Sequence, residues 1–192
     1  MTGARGEASG QVRLRQVTST DAELLDRWAS DPVAHGAFNH FDGGPGVPAA
    51  RRIADAELDG RPLNEMIVEE GGRAVGHVSW HATHWGPDEE STALTIGISL
   101  VPEARGHGVG SRAQRMLADF LFHTTRVHRV EASTDVENLA EQRALEKAGF
   151  VREGVARQAQ WRAGAWHDMV LYGRVRPEAP GTTRPGSAPG RP

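Results

Sequence analysis

The chain contains no cysteine. That removes disulfides, thiolate metal sites and a cysteine nucleophile together. It has a single lysine, Lys147, so its positive charge is carried almost wholly by arginine, a bias that fits a GC-rich coding sequence. No apolar run approaches the ~18 residues of a membrane span, and residues 1–10 lack the hydrophobic core of a signal segment. The formal net charge is −3, so no excess of positive charge draws the chain to nucleic acid or to an anionic membrane. The expectation is a cytoplasmic protein with neither of those partners. A length of 192 residues suits one domain that buries a core without staples.

What is present is a run of short, strongly patterned segments. Residues 1–9 are small and polar and are expected to be disordered, as is the Pro/Gly/Ser/Thr/Arg tail 177–192. Between them, at 10–176, Gln11–Val17 alternates as a strand, and Thr20-Asp21-Ala22-Glu23 resembles a capping box opening a helix with Leu24, Leu25 and Trp28. Pro32–Gly46 reads as irregular, and a helix is expected from Pro48 to Leu58. Asn64–Glu70 and Arg73–Trp85 read as strands joined by Gly71-Gly72, with a further strand at 93–100. A helix, a strand at His128–Thr134, a helix at Asn138–Gly149 and two closing strands, Phe150–Gln160 and Ala165–Val175, complete the order. The series β-α-α-β-β-β-α-β-α-β-β predicts an α/β (α+β) domain with a mixed sheet and helices on both faces.

The most informative stretch is Arg105-Gly-His-Gly-Val-Gly-Ser111, between the strand ending at Leu100 and a helical pattern with Val109, Met116, Leu117, Phe120 and Leu121. Glycines at 106, 108 and 110 let backbone N–H groups converge on one point, and the helix behind them adds its positive dipole end. Such a turn suits a phosphate or pyrophosphate. A Walker loop would need Lys-Ser/Thr after its last glycine, whereas Ser111-Arg112 follows Gly110. The dinucleotide fingerprint would need Gly-x-Gly-x-x-Gly early in a βαβ unit. A ligand-free strand–helix turn is the plain alternative.

Three segments together resemble one family. They are the glycine turn, Glu137-Asn138-Leu139-Ala140 with Leu145-Glu146-Lys147-Ala148-Gly149-Phe150, and Trp166-His167-Asp168-Met169-Val170-Leu171-Tyr172-Gly173. In that order they are similar to the GNAT acyltransferases, in the branch of the ribosomal-protein N-terminal acetyltransferases. The resemblance spans about residues 11–176. It implies a mostly antiparallel seven-stranded sheet splayed between strands 4 and 5. It also implies that acetyl-CoA lays its pyrophosphate on the amides of Gly106, His107, Gly108, Val109, Gly110 and Ser111, with Arg105 nearby. The pantetheine arm would then follow Ile98, Ser99, Leu100 and Val101. Asn138 matches the family's asparagine beside that arm. Read from the residues alone, Asn138 is equally an N-cap, with Glu141 completing a capping box.

The chain departs from the family at its usual catalytic positions. Thr95 stands where many relatives carry glutamate before Ile-Gly, Leu145 where some carry tyrosine, and Glu141 where others carry serine. The substitutes are His81, Ser133 and Glu141, with Glu131 a further candidate. Antiparallel pairing across a Trp85–Ser91 hairpin would set His81 opposite Thr95 and His77 opposite Ser99, and an imidazole titrates near neutrality. The plain reading of His77, Ser79, His81 and Thr83 is a polar strand face. A metal site of His77, His81 and His84 is not expected, because alternation turns His84 to the other face. Trp28, Phe38, His40 and His77 are candidates for shaping the acceptor pocket. The expected function is acetyl transfer from acetyl-CoA to a primary amine, either a protein N-terminus or a small amine. The alternative is a CoA-binding protein with little transferase activity. A homodimer is a further prospect, since relatives often form one.

Overall fold

The computed structural model describes residues 10–38 and 46–177. The two terminal segments expected to be disordered lie outside the described residues, apart from residue 177. So does His40. The elements are β1 (Val12–Gln16), α1 (Ala22–Ser30), α2 (Pro32–His35), α3 (Ala49–Leu58), β2 (Glu65–Glu70), β3 (Arg73–His84), β4 (Thr92–Leu100), α4 (Val109–Thr124), β5 (Arg129–Asp135), α5 (Leu139–Lys147), β6 (Val151–Arg162) and β7 (Ala165–Val175). The strands form one seven-stranded sheet in the order β1-β2-β3-β4-β5-β7-β6. Every neighbouring pair is antiparallel except β4 and β5.

Two differences from the sequence reading have local causes. A short 3-10 turn, Ser19–Asp21, precedes α1, and its cap is Thr18 rather than Thr20. The Thr18 N–H donates to Asp21 Oδ2 at 2.8 Å, and Asp21 is also gripped by Arg15 at 2.7 and 2.8 Å. That guanidinium holds the Asp21 carboxyl down to about 2, against the opposing effect of burial. The second difference is α2, a single turn inside the segment read as irregular. Asp31 accepts from the Val33 N–H at 2.9 Å and Pro32 supplies the preset first-turn φ.

The sheet sorts its apolar residues to two faces. On one, α4 and α5 bury Val109, Leu117, Leu121, Leu145 and Phe150 against Val78, Leu94, Val130, Val170 and Tyr172. Each such aliphatic side chain stabilises the fold by about 1.5–3 kcal/mol. On the other, Leu25 of α1 and Ala49 of α3 cover Ile67 of β2. The predicted pairing holds, with His77 opposite Ser99 and His81 opposite Thr95.

β4 and β5 pair only at Ala93↔Arg129, Leu94↔Val130 and Thr95↔Glu131. Beyond Thr95 the two strands part, which opens a wedge in the sheet. Gly76 helps to place the wedge's upper edge: it faces Leu100, and an added Cβ would collide with the Ser99 carbonyl oxygen.

Candidate active site

The wedge gives β4 a second edge with no strand partner from Ile96 to Leu100 among the described residues. Alternate N–H and C=O groups there are available to an extended ligand. At the end of β4 the chain makes a short turn at Pro102–Ala104 and then the glycine turn into α4. Gly106 and Gly108 adopt φ of +79° and +78°, a region that side-chain-bearing residues rarely enter. The N–H groups of the first turn of α4 have no carbonyl one turn back to bond. That turn carries no acidic residue, so the helix's positive end is left uncancelled.

A cavity of about 530 Å³ runs along this edge. Its walls include Ile98, Ser99 and Leu100 of β4, the turn residues Arg105, Gly106, Gly108, Gly110 and Ser111, and Asn138, Glu141, Arg143 and Lys147 at α5. Gly36, Ala37 and Phe38 close it from the loop after α2. Among its lining side chains three are cationic and one is a carboxyl group. An extended, anionic, partly apolar ligand fits that lining.

The wall therefore contains most of the expected cofactor residues. Val109 is fully buried in the core, so its backbone alone faces the turn. Val101 donates its N–H to the Val75 carbonyl, and neither it nor His107 is among the lining residues. Arg105 donates from Nε to the Leu100 carbonyl at 2.9 Å and from Nη2 to the Val33 carbonyl at 3.3 Å. It thus ties the turn to β4 and α2 at the cavity's mouth.

A smaller cavity of about 110 Å³ lies deeper in the wedge, lined by Ile96, Ile98, Gln114, Ser133, Glu141 and Leu145 among others. Glu141 and Asn138 belong to both cavities. Asn138 caps α5, its Oδ1 accepting from the Glu141 N–H at 3.2 Å. The expected capping box is not completed, because the Glu141 carboxyl turns away and accepts from Gln114 Nε2 at 2.6 Å. Burial pushes the Glu141 carboxyl up to about 7, with the Gln114 hydrogen bond opposing that shift. A carboxyl that changes charge near neutrality inside a cleft is suited to proton transfer.

The other candidates are placed differently. His81 is exposed and lines neither cavity. Glu131 is engaged, accepting from Trp85 Nε1 at 2.7 Å and Arg129 Nε at 2.5 Å. Thr95 Oγ1 lies 2.7 Å from Thr83 Oγ1. Trp28 stacks on His77 with ring centroids 6.3 Å apart. His77 Nδ1 in turn sits 2.7 Å from Oε1 of buried Glu65, whose other oxygen pairs with Arg52. The Glu65 carboxyl stays below its ordinary range, since His77 and Arg52 outweigh its burial.

Phe38 joins a second network that the sequence reading missed. Arg162, 3% exposed, donates to the Phe38 carbonyl at 2.8 Å and pairs with Asp135, 2% exposed. His167 Nδ1 lies 3.1 Å from the same carboxylate. The Asp135 carboxyl is held below its ordinary range. Burial opposes ionisation there, but the Glu137 N–H and the Arg162 guanidinium outweigh it. The contacts join residues 27 and 124 positions apart, a range at which local pattern carries no signal.

Comparison with known proteins places this geometry. A model of the acetyltransferase (GNAT) domain matches residues 11–151. Probable N-acetyltransferase YjcK of Bacillus subtilis (strain 168) is 37% identical over 83 residues. That stretch is 43% of this chain and 46% of YjcK, so under half of that relative is matched. Ribosomal-protein-S5-alanine acetyltransferase from Vibrio fischeri superposes with a TM-score of 0.71 at 23% identity, over 85% of this chain and 92% of its own. Mycobacterium smegmatis RimJ, solved with CoA-disulfide, gives a TM-score of 0.68 at 24% identity, over 86% and 82%. The two structures share the fold.

Proposed function

As a member of the GNAT acetyltransferase family the chain is an N-acetyltransferase, and we propose that it moves the acetyl group of acetyl-CoA directly to a primary amine in a ternary complex. The observation that carries this reading is the β4–β5 wedge with its cationic, glycine-turned mouth and its protonatable carboxyl inside. Such a lining fits a ligand with a pyrophosphate at one end and an amide-bearing arm at the other. When bound, acetyl-CoA supplies a thioester, an acyl group already activated for attack by nitrogen.

The protein's share of the chemistry is assigned as follows. The amides of residues 106–111 hold the pyrophosphate, with Arg143 and Lys147 adding charge. The open edge from Ile96 to Leu100 aligns the arm and offers an N–H to a carbonyl oxygen that gains negative charge. Asn138 fixes the start of α5 against that arm. Glu141 holds a proton near neutrality and gives it to the departing sulfur, while the proton lost from the attacking nitrogen passes to solvent and the carboxyl is reprotonated from solvent. Ser133 lines the deeper cavity and is given no proton-transfer role. His81 is given no proton-transfer role, because it lies outside both cavities.

The acceptor enters beside Phe38, which lines the larger cavity; Trp28 and His77, like His81, line neither cavity and are given no acceptor role. The likeness to a ribosomal-protein-alanine acetyltransferase favours a protein N-terminus over a small free amine. The test is acetyl-CoA consumption against a panel of peptides with free N-termini and of small amines. Turnover on peptides is the expected result. Tight CoA binding with no turnover on any amine would leave only the reading of a CoA-binding protein.

A further inference from the structure

Position 114 carries an uncharged polar side chain on the buried face of α4, among Val109, Ala113, Leu117, Ala118 and Leu121. Gln114 is 1% exposed. Its Nε2 donates to Glu141 Oε1 at 2.6 Å, while its Oε1 is buried without a hydrogen-bond partner among the described residues. Leaving a buried acceptor unpaired costs about 1–3 kcal/mol. Both residues line the deeper cavity.

We propose that Gln114 is a positioning residue whose side-chain amide reverses as Glu141 gains or loses its proton, so that the pair stays hydrogen-bonded in both states. An ionised carboxylate only accepts, and it takes the Nε2–H seen here. A protonated carboxyl must donate its O–H, and the unpartnered Oε1 of Gln114 is an acceptor on the adjoining group. A half-turn about the Cγ–Cδ bond exchanges the two amide atoms without moving the helix. A hydrocarbon at this position would serve neither state. A second carboxyl would contest the proton.

Other charged groups surround the pair on three elements and the turn. On α5, Arg143 and Lys147 line the larger cavity, as does Arg105 from the turn. On α4, Arg115 reaches the Lys147 carbonyl. On β5, Glu131 is held by Arg129 and Trp85, and Asp135 by Arg162. Burial and the Gln114 hydrogen bond set the Glu141 titration. The catalytic meaning of the switch rests on Glu141 acting as the acid; the switch itself does not.

The experiment is a pH titration of the free protein by NMR, between about pH 5 and pH 9, with carbon-13 in the glutamate carboxyls and nitrogen-15 in the glutamine amides. Glu141→Gln identifies the carboxyl signal. In the wild type, the Gln114 amide signals should shift with the same midpoint as Glu141. In Gln114→Met the partner of both protonation states is lost at once, so the Glu141 midpoint should move by less than about one pH unit. A larger rise in a folded Gln114→Met shows a fixed donor that serves the carboxylate alone, and overturns the proposal. So do Gln114 amide signals in the wild type that ignore the Glu141 midpoint, and that arm needs no variant to fold. Neither acetyl-CoA nor an amine is present in the titration. Coupled signals without turnover on any amine would keep the switch and remove the functional reading. Turnover with uncoupled signals would do the reverse.

Discussion

The two sides of the wedge are built on different principles. The cofactor side, from β4 through the glycine turn into α4 and α5, works mainly through backbone: an open strand edge, left-handed glycines and an uncapped helix start. The β5 side, where the acceptor is proposed to enter, works through side chains that meet across the fold, with Asp135, Arg162, His167 and Phe38 in one network. A backbone device tolerates change in most side chains but fails when a glycine is lost. A side-chain network fails at any buried member. The first arrangement suits one constant ligand, and the second allows the acceptor to differ among proteins of one fold.

Perturbing each side separates the two principles. The largest effect is expected from Gly108→Asp, which forces an L side chain to φ of +78° and sets a negative charge at the start of α4. Acetyl-CoA affinity by calorimetry should fall by about a hundredfold or more (roughly 2.7 kcal/mol); unchanged affinity would remove the turn from the binding site. Arg162→Met should instead act on the fold, costing about 3 kcal/mol in denaturant unfolding, because buried Asp135 loses its guanidinium and keeps only the Glu137 N–H and His167. A loss confined to acetyl-CoA affinity would contradict the division.

Glu141→Gln should lower kcat about 10–100-fold and leave acetyl-CoA affinity near wild type. It should also abolish the fall in rate above about pH 7 that a required protonated acid produces. The sign on stability runs the other way. A carboxyl raised from its ordinary 4.5 to about 7 by folding contributes stability below about pH 4.5, and that contribution disappears as the pH climbs to about 7. At about pH 8 the Gln variant should therefore be the more stable protein, by on the order of 2–3 kcal/mol. The smallest effect is expected from Asp21→Asn, about 1–2 kcal/mol. Asp21 is depressed to about 2, so its contribution is present above about pH 4 and disappears as the pH falls towards 2. Equal unfolding midpoints for variant and wild type at neutral pH would remove the Arg15–Asp21 anchor from the account.

The same contrast governs what could be read from the residues. Alternation and glycine punctuation located all seven strands and the cofactor turn, because those signals are local. The pairing of His77 with Ser99 followed from counting back across one hairpin. Thr20-Asp21 mimics, two residues later, the signature with which Thr18 opens the turn before α1. The turn of Glu141 away from its cap towards Gln114 depends on two helices meeting, and so do the contacts of Arg162 with Asp135 and Phe38. One clue was local: a glutamine on the apolar face of α4 is a polar residue where the helical period calls for core. His81 matched the chemistry of a base, but period-2 alternation gives a residue's face and not its distance from the wedge.

The central claim is that the β4 edge and the glycine turn form one continuous acetyl-CoA site, and backbone hydrogen exchange tests it most directly. With acetyl-CoA added, amides in Ile96–Leu100 and in residues 106–111 should slow together, with little change in β6 and β7. Protection confined to other elements, or no protection at saturating acetyl-CoA, would contradict the account.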